Sequence, residues 1–238
     1  MAAGWKDIWE NRTLDSSQGS TLARLLAADG FDTAFSRVSE DAWRRHVQAT
    51  SRAVGLEPGM SVFEVGCGAG AYLFELYRAG CKVGGLDASG TLLRLAREVM
   101  PEGDWIQADA AELETGEPYD FVVSYSVFHY FPSLDYARRV VERMFRKARR
   151  AVMILDVPDL ARREQAIAFR RRLLGEQTYE STYGGLEHLY FGRHWFMEVL
   201  AEEGAARAWA EDQHIEGYVN SEFRFNVFAL LCSGKNNG

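Results

Sequence analysis

Apolar and polar positions along this chain change period several times, and each change marks an element. From Met60 onward, short apolar runs of strand character recur at Ser61–Val65, Lys82–Leu86, Asp104–Gln107, Phe121–Tyr125 and Ala151–Asp156. Segments with helical spacing lie between and after them: Ala71–Ala79, Ser89–Val99, Leu134–Lys147 and Leu160–Leu174. Alternation of this kind predicts a parallel sheet with helices on both faces and right-handed crossovers. The last third differs. Tyr179–Leu189 is polar and aromatic with a Gly184-Gly185 turn, and Gly192–Glu203 has helical spacing. Ala205–His214 and Phe223–Leu231 read as two strands joined by a short loop, which must pair antiparallel for want of a crossover helix.

The first 59 residues read as helical. Trp5, Ile8 and Trp9 share one face of a short amphipathic helix over Trp5–Arg12. Thr13–Ser20 reads as loop, Ser20–Ala28 as helix and Gly30–Ser36 as an irregular segment. Ser39 followed by Glu40 and Asp41 has the chemistry of an N-cap and an acidic first turn, opening a helix to about Val54. Leu56-Glu57-Pro58-Gly59 is a turn. The expected organisation is a helical lid over 1–59 and a doubly wound, seven-stranded α/β domain over 60–238. That sheet should be mostly parallel with an antiparallel C-terminal strand, and a cap is expected as an insertion at about 175–192.

Composition narrows the function classes. With 238 residues, 47% of them hydrophobic and 26% charged, the chain is long enough for one large core. No apolar run reaches membrane-span length, and Met1–Asp7 lacks a signal-peptide core, so no membrane partner and a cytoplasmic location are expected. A net charge of −7 argues against a general nucleic-acid binder, and no DNA partner is expected. The three cysteines have neither zinc-knuckle nor disulfide-framework spacing. No acid–histidine spacing suggests a metal.

Chemistry concentrates in Val62-Phe63-Glu64-Val65-Gly66-Cys67-Gly68-Ala69-Gly70, where an apolar strand runs into a glycine-dense turn before a helix. Glycine lets backbone approach a ligand at a helix N-terminus. Glu64, two places before the first glycine, would repel a pyrophosphate and attract an ammonium or sulfonium. The turn therefore leans towards a nucleoside that carries positive charge. Gly66-x-Gly68-x-x-Ala71 with Asp87 further on also fits the dinucleotide fingerprint, so an NAD(P)-dependent oxidoreductase is a competing reading.

Taken in order, four motifs resemble those of the class I S-adenosylmethionine-dependent methyltransferases. They are Glu64–Gly70, Gly85-Leu86-Asp87-Ala88-Ser89, Gln107-Ala108-Asp109-Ala110, and Tyr119 to Tyr130. The likeness covers about Met60–Asp156. It implies S-adenosyl-L-methionine as cofactor, S-adenosyl-L-homocysteine as product and no metal. It also implies roles. Asp87, with Ala88 beside it, would accept from the ribose diol, or else cap the helix that follows. Asp109 would accept from the adenine amine while the Ala110 amide donates, or else cap a short turn. Gly66, Cys67, Gly68 and Gly70 would carry the amino-acid end of the cofactor. Glu64 would bind through water or orient the loop, the Ser124 carbonyl would face the ammonium, and Trp9, Arg12 and Phe35 would belong to the lid.

Methyl transfer is an in-line displacement on an activated cofactor, so positioning supplies much of the rate and a base is needed only for a protonated nucleophile. His129, after the fourth strand, is the first candidate for that base, or else a structural residue. Tyr125, Phe128, Tyr183, His188, Tyr190 and His194 are the expected substrate residues, since small-molecule pockets are largely apolar and aromatic. The expected activity is methylation of a small secondary metabolite, at oxygen in preference to nitrogen. The same motifs would also suit a methyltransferase acting on tRNA or protein, or a non-catalytic cofactor-binding protein. The sequence leaves a homodimer open.

Overall fold

A computed structural model of the chain describes residues 5–11, 19–33 and 36–232. The predicted Arg12 and Phe35 lie outside these residues. Seven strands form one sheet: β1 (Ser61–Val65), β2 (Lys82–Asp87), β3 (Asp104–Gln107), β4 (Tyr119–Tyr125), β5 (Ala148–Pro158), β6 (Arg207–Asp212) and β7 (Arg224–Leu230). They lie in the order β3-β2-β1-β4-β5-β7-β6. The first five run parallel, and β7 runs antiparallel between β5 and β6. The sheet is the one the strand pattern predicts, but β6 and β7 are not joined by a tight hairpin. Residues 213–223 intervene and carry a 3-10 turn at Val219–Phe223.

Nine helices are described: α1 (Trp5–Glu10), α2 (Thr21–Ala28), α3 (Glu40–Val54), α4 (Ala71–Arg78), α5 (Gly90–Val99), α6 (Leu134–Lys147), α7 (Arg163–Leu174), α8 (Glu176–Tyr183) and α9 (Arg193–Glu202). Ser20 and Ser39 cap α2 and α3 through their side chains, accepting from Ala23 N at 3.1 Å and Ala42 N at 3.2 Å. The segment over Tyr179–Leu189, read as polar and aromatic without a helix, carries α8 over its first five residues. None of its described residues is buried, so the helix presents no apolar stripe for a sequence pattern to show.

Strand alternation decides which layer each side chain joins. Val62, Phe121, Val123, Tyr125, Met153 and Leu155 pack with α2 to α5, against Leu25, Trp43, Leu73 and Leu93. Phe63, Val65, Val122, Val152 and Ile154 pack on the other face with α6 and α9, against Val140, Met144, Phe196 and Leu200. No described helix is long and apolar enough to cross a membrane.

Candidate functional site

Strand β1 lies between β2 and β4, so the chain reverses its winding direction there. At such a switch point the loops leaving adjacent strands part, and a crevice opens at their C-terminal ends. A cleft of about 290 Å³ occupies that crevice. Its floor is the glycine turn. Gly66 and Gly68 adopt φ of +74° and +54°, in the left-handed region that favours glycine. The Gly66 and Cys67 amides donate to Leu86 O at 2.7 and 3.0 Å, which ties the turn to the end of β2.

Three carboxylates converge on this turn. Asp87 accepts from Gly68 N through one oxygen and from Ser89 N through the other, both at 2.8 Å. Asp29, in the turn after α2, accepts from Ala69 N at 2.6 Å and Ala71 N at 3.0 Å. It thereby supplies the cap that Gly70 lacks a side chain to give α4. Glu64 is buried beneath them, and its Oε2 has no hydrogen-bond partner among the described residues. Burial, then the charges of Asp29 and Asp87, push the Glu64 carboxyl well above the usual carboxylate range. Burial also raises Asp87, against the lowering effect of the Ser89 and Gly68 amides. A cation in the cleft would relieve all three.

Aromatic rings close the cleft. Tyr125 stacks on Tyr72 with ring centroids 5.5 Å apart and meets Trp43 edge-on at 5.0 Å. The Tyr125 hydroxyl is buried without a hydrogen-bond partner among the described residues. Trp5, Trp9, Tyr130, Phe131 and Tyr136 form the opposite wall. Ser126 follows β4 at φ +57° and donates to Asp156 Oδ2 at 2.6 Å; Asp156 itself sits at φ +58°. Two non-glycine residues held in the left-handed region at neighbouring strand ends, and bonded to each other, mark a place where the surroundings enforce strain.

Most of the predicted cofactor residues meet here. Trp9, Glu64, Gly66, Cys67, Gly68, Asp87, Ala88, Asp109 and Ala110 all line the cleft. Asp109 also caps the short turn after β3. It accepts from Ala111 N at 3.0 Å and from the Tyr136 hydroxyl, inside a capping box with Glu112.

The structure corrects several expectations. Ser124 does not line the cleft; it is fully buried, and its hydroxyl donates to Val65 O at 2.9 Å. Strand β4 runs one residue past it, so Tyr125 and Ser126 reach the cleft instead. Gly70 turns its α-carbon towards Met100 Cε, which stands 2.6 Å from where a β-carbon would lie; its glycine serves packing and the left-handed turn. Phe128 points into the second core layer among Phe131, Phe191 and Phe196.

His129 stands behind the cleft wall, with Tyr130 between. It is buried, its ring lies 3.9 Å from that of Tyr130, and its Nδ1 meets Arg224 Nη1 at 3.4 Å. Burial, then Arg224, His188 and Arg170, hold its pKa well below the usual imidazole value. It is not among the residues that line the cleft. Of the predicted substrate residues, only Tyr125 lines the cleft. Tyr183, His188 and Tyr190 gather around Arg170 on the far side of Trp5, and His194 is exposed on α9.

Sequence reasoning missed Asp29, Trp43, Tyr72, Ser126 and Tyr136. All but Ser126 lie outside the four motifs. The Asp29-Gly30 pair at a helix end is a turn signal, but nothing in it says which loop the carboxylate will reach. Among the described residues, no group of metal-ligating side chains is present.

Residues 62–151 match the family model described as a methyltransferase domain. A stretch of 108 residues is 30% identical to trans-aconitate 2-methyltransferase of Azoarcus sp. (strain BH72), covering 44% of this chain and 42% of that protein. A stretch of 174 residues is 25% identical to the nonribosomal peptide synthetase asqK of Emericella nidulans, covering 66% of this chain and 7% of that one. The chain thus spans less than half the length of either curated relative. Among solved structures, magnesium protoporphyrin IX methyltransferase (ChlM) from Synechocystis PCC 6803 with bound SAH superposes with a TM-score of 0.64. The identity is 19%, over 95% of this chain and 97% of that one. The resemblance carried by the four sequence motifs and the fold expected from it are both borne out.

Proposed function

We propose that this chain, which has the class I methyltransferase fold and carries a methyltransferase domain at residues 62–151, moves a methyl group from S-adenosylmethionine to a small-molecule acceptor. The observation that carries the reading is the convergence of three carboxylates, Asp29, Glu64 and Asp87, under a glycine cradle. A buried carboxyl with an orphaned oxygen, that of Glu64, fits a ligand that brings positive charge, and it fits a pyrophosphate poorly. The family model and the relatives support the same class.

In this reading Asp87 takes the ribose diol, since each of its oxygens spends one lone pair on a backbone amide and retains another. Asp109 and Ala110 take the adenine, and Trp9 covers it. Glu64 answers the positive charge from below. The bound cofactor supplies an activated methyl and a neutral leaving group. The protein's part is then to orient the acceptor and exclude water. Tyr72, Trp43 and Tyr125 shape that space. Ser126 donates a hydrogen bond to Asp156, so its oxygen can accept from an acceptor hydroxyl and turn that oxygen's lone pair towards the methyl, and the proton released on transfer would pass through Ser126 to Asp156. In this reading the methylated atom is that hydroxyl oxygen.

Isothermal titration tests the reading. S-Adenosylhomocysteine should bind and NAD should not. Uptake of NAD with no response to S-adenosylhomocysteine would establish the oxidoreductase instead.

A further inference from the structure

A second group of polar side chains lies one residue layer from the cleft and has no part in the methyl transfer itself. Arg170, on α7, is 6% exposed. Its guanidinium reaches His188 Nδ1 at 2.9 Å, the Tyr190 hydroxyl, and the Ala166 carbonyl at 3.3 Å. It lies 5.8 Å from the centre of the Tyr183 ring. Among the described residues, none of its partners is a carboxylate. Arg224, on β7, is also 6% exposed and meets His129. Its charge is answered by Asp156, 3.9 Å away. Among the described residues, the group therefore buries two guanidinium charges against one carboxylate.

The imidazoles do not restore the balance. An arginine N–H can only donate, so His188 Nδ1 accepts and the ring proton of the neutral form stands on Nε2. That Nε2 is buried and has no hydrogen-bond partner among the described residues. Burial, then Arg170 and Arg224, keep the ring in its neutral form. A buried donor without an acceptor thus stands beside a buried cation without a counter-ion. Each is costly alone, and a single oxyanion would satisfy both.

The surroundings say what kind of anion. Trp5 stacks on His188 with centroids 4.8 Å apart and also lies 4.9 Å from Tyr130; both Trp5 and Tyr130 line the cleft. Tyr183 meets His188 edge-on at 5.8 Å. Flat rings therefore stand between the cleft and the buried imidazole nitrogen and guanidinium.

We propose that Arg170 and His188 Nε2 form an anchor for a carboxylate on the methyl acceptor, and that the acceptor is an aryl carboxylate whose ring lies against the cleft faces of Trp5 and Tyr130. This site orients the acceptor, and the methylated atom belongs to the cleft. The inference rests on the methyl-transfer reading for its purpose, but binding at the anchor can be read without turnover.

The test uses the full chain, alone and saturated with S-adenosylhomocysteine. Benzoate, trans-cinnamate and indole-3-acetate are titrated by calorimetry, each beside its primary amide. At least one acid should bind tenfold or more tightly than its amide. Arg170→Gln should remove that preference and leave S-adenosylhomocysteine affinity within twofold. His188→Phe keeps a ring against Trp5 but deletes the Nε2 donor, and should weaken the acid at least threefold. The second variant carries the test if Arg170→Gln does not fold. No acid preferred over its amide, or a preference that survives in whichever variant folds, overturns the anchor. Loss of S-adenosylhomocysteine binding with acid binding retained would instead overturn the methyl-transfer reading alone.

Discussion

The Asp29 carboxylate accepts the backbone amide of Ala71 at 3.0 Å, across 42 residues of sequence. A residue of the N-terminal helices thus caps the helix that follows the glycine turn, and its other oxygen holds Ala69 N. The N-terminal segment and the glycine loop are joined by charge-assisted hydrogen bonds at the floor of the cleft.

Asp29→Ala should therefore destabilise the whole domain, not only the N-terminal helices. The expected loss is about 1–2 kcal/mol, the usual cost of deleting a helix cap. Urea unfolding followed by far-ultraviolet circular dichroism reads it, and an unchanged midpoint would show that the cap is dispensable.

Asp87→Ala removes the acceptor that ties Gly68 N and Ser89 N and that would receive the ribose. S-Adenosylhomocysteine affinity should fall more than about tenfold, at least ~1.4 kcal/mol. Titration calorimetry with equal affinities for the two proteins would remove the ribose assignment.

Glu64 gives a pH dependence with a definite sign. Burial and the charges of Asp29 and Asp87 raise its carboxyl in the free protein. A raised carboxyl favours the fold at pH below its unfolded value of 4.5, and that contribution is lost as pH rises through the folded value. A cationic ligand reverses the preference and expels the proton. Affinity for S-adenosylmethionine should then rise with pH until Glu64 ionises in the free protein. Calorimetry in buffers of different ionisation enthalpy should detect the released proton, and Glu64→Gln should abolish both effects. Equal slopes in wild type and variant would assign the proton elsewhere.

His46, buried against Trp43 and Tyr125, has its pKa lowered to about 4 by burial. Its neutral form stabilises the fold fully above 6.5, and the stabilisation is lost as pH falls towards 4. The shift corresponds to about 3 kcal/mol. Melting temperatures of wild type and His46→Gln should diverge near neutrality and converge at pH 4, and parallel curves would contradict the assignment.

His129→Gln should lower the melting temperature and leave S-adenosylhomocysteine affinity within about twofold, because the ring packs on Tyr130 and His188 behind the cleft. Weakening of cofactor binding by tenfold would place His129 in the pocket.

The sequence was sufficient for the frame because the frame is made of local signals. Apolar periods set the strands and helices, Ser39 announced its cap, and the glycine turn followed an apolar strand. Motif order placed Glu64, Gly66, Gly68, Asp87 and Asp109 at one sheet edge, since every parallel strand delivers its C-terminal end to the same side.

Direction of side chains was decided elsewhere. One residue of strand length separated Ser124, turned into the sheet, from Tyr125, turned to the cleft. A 3-10 turn at Phe128–Tyr130 sent Phe128 to the core, His129 towards Arg224 and Tyr130 to the cleft wall. Asp29, Arg170 and His188 acquire their meaning only from partners 18 to 42 residues away. Period and motif fix which residues reach the end of a strand. Which of them meets a ligand depends on packing between segments that no local pattern couples.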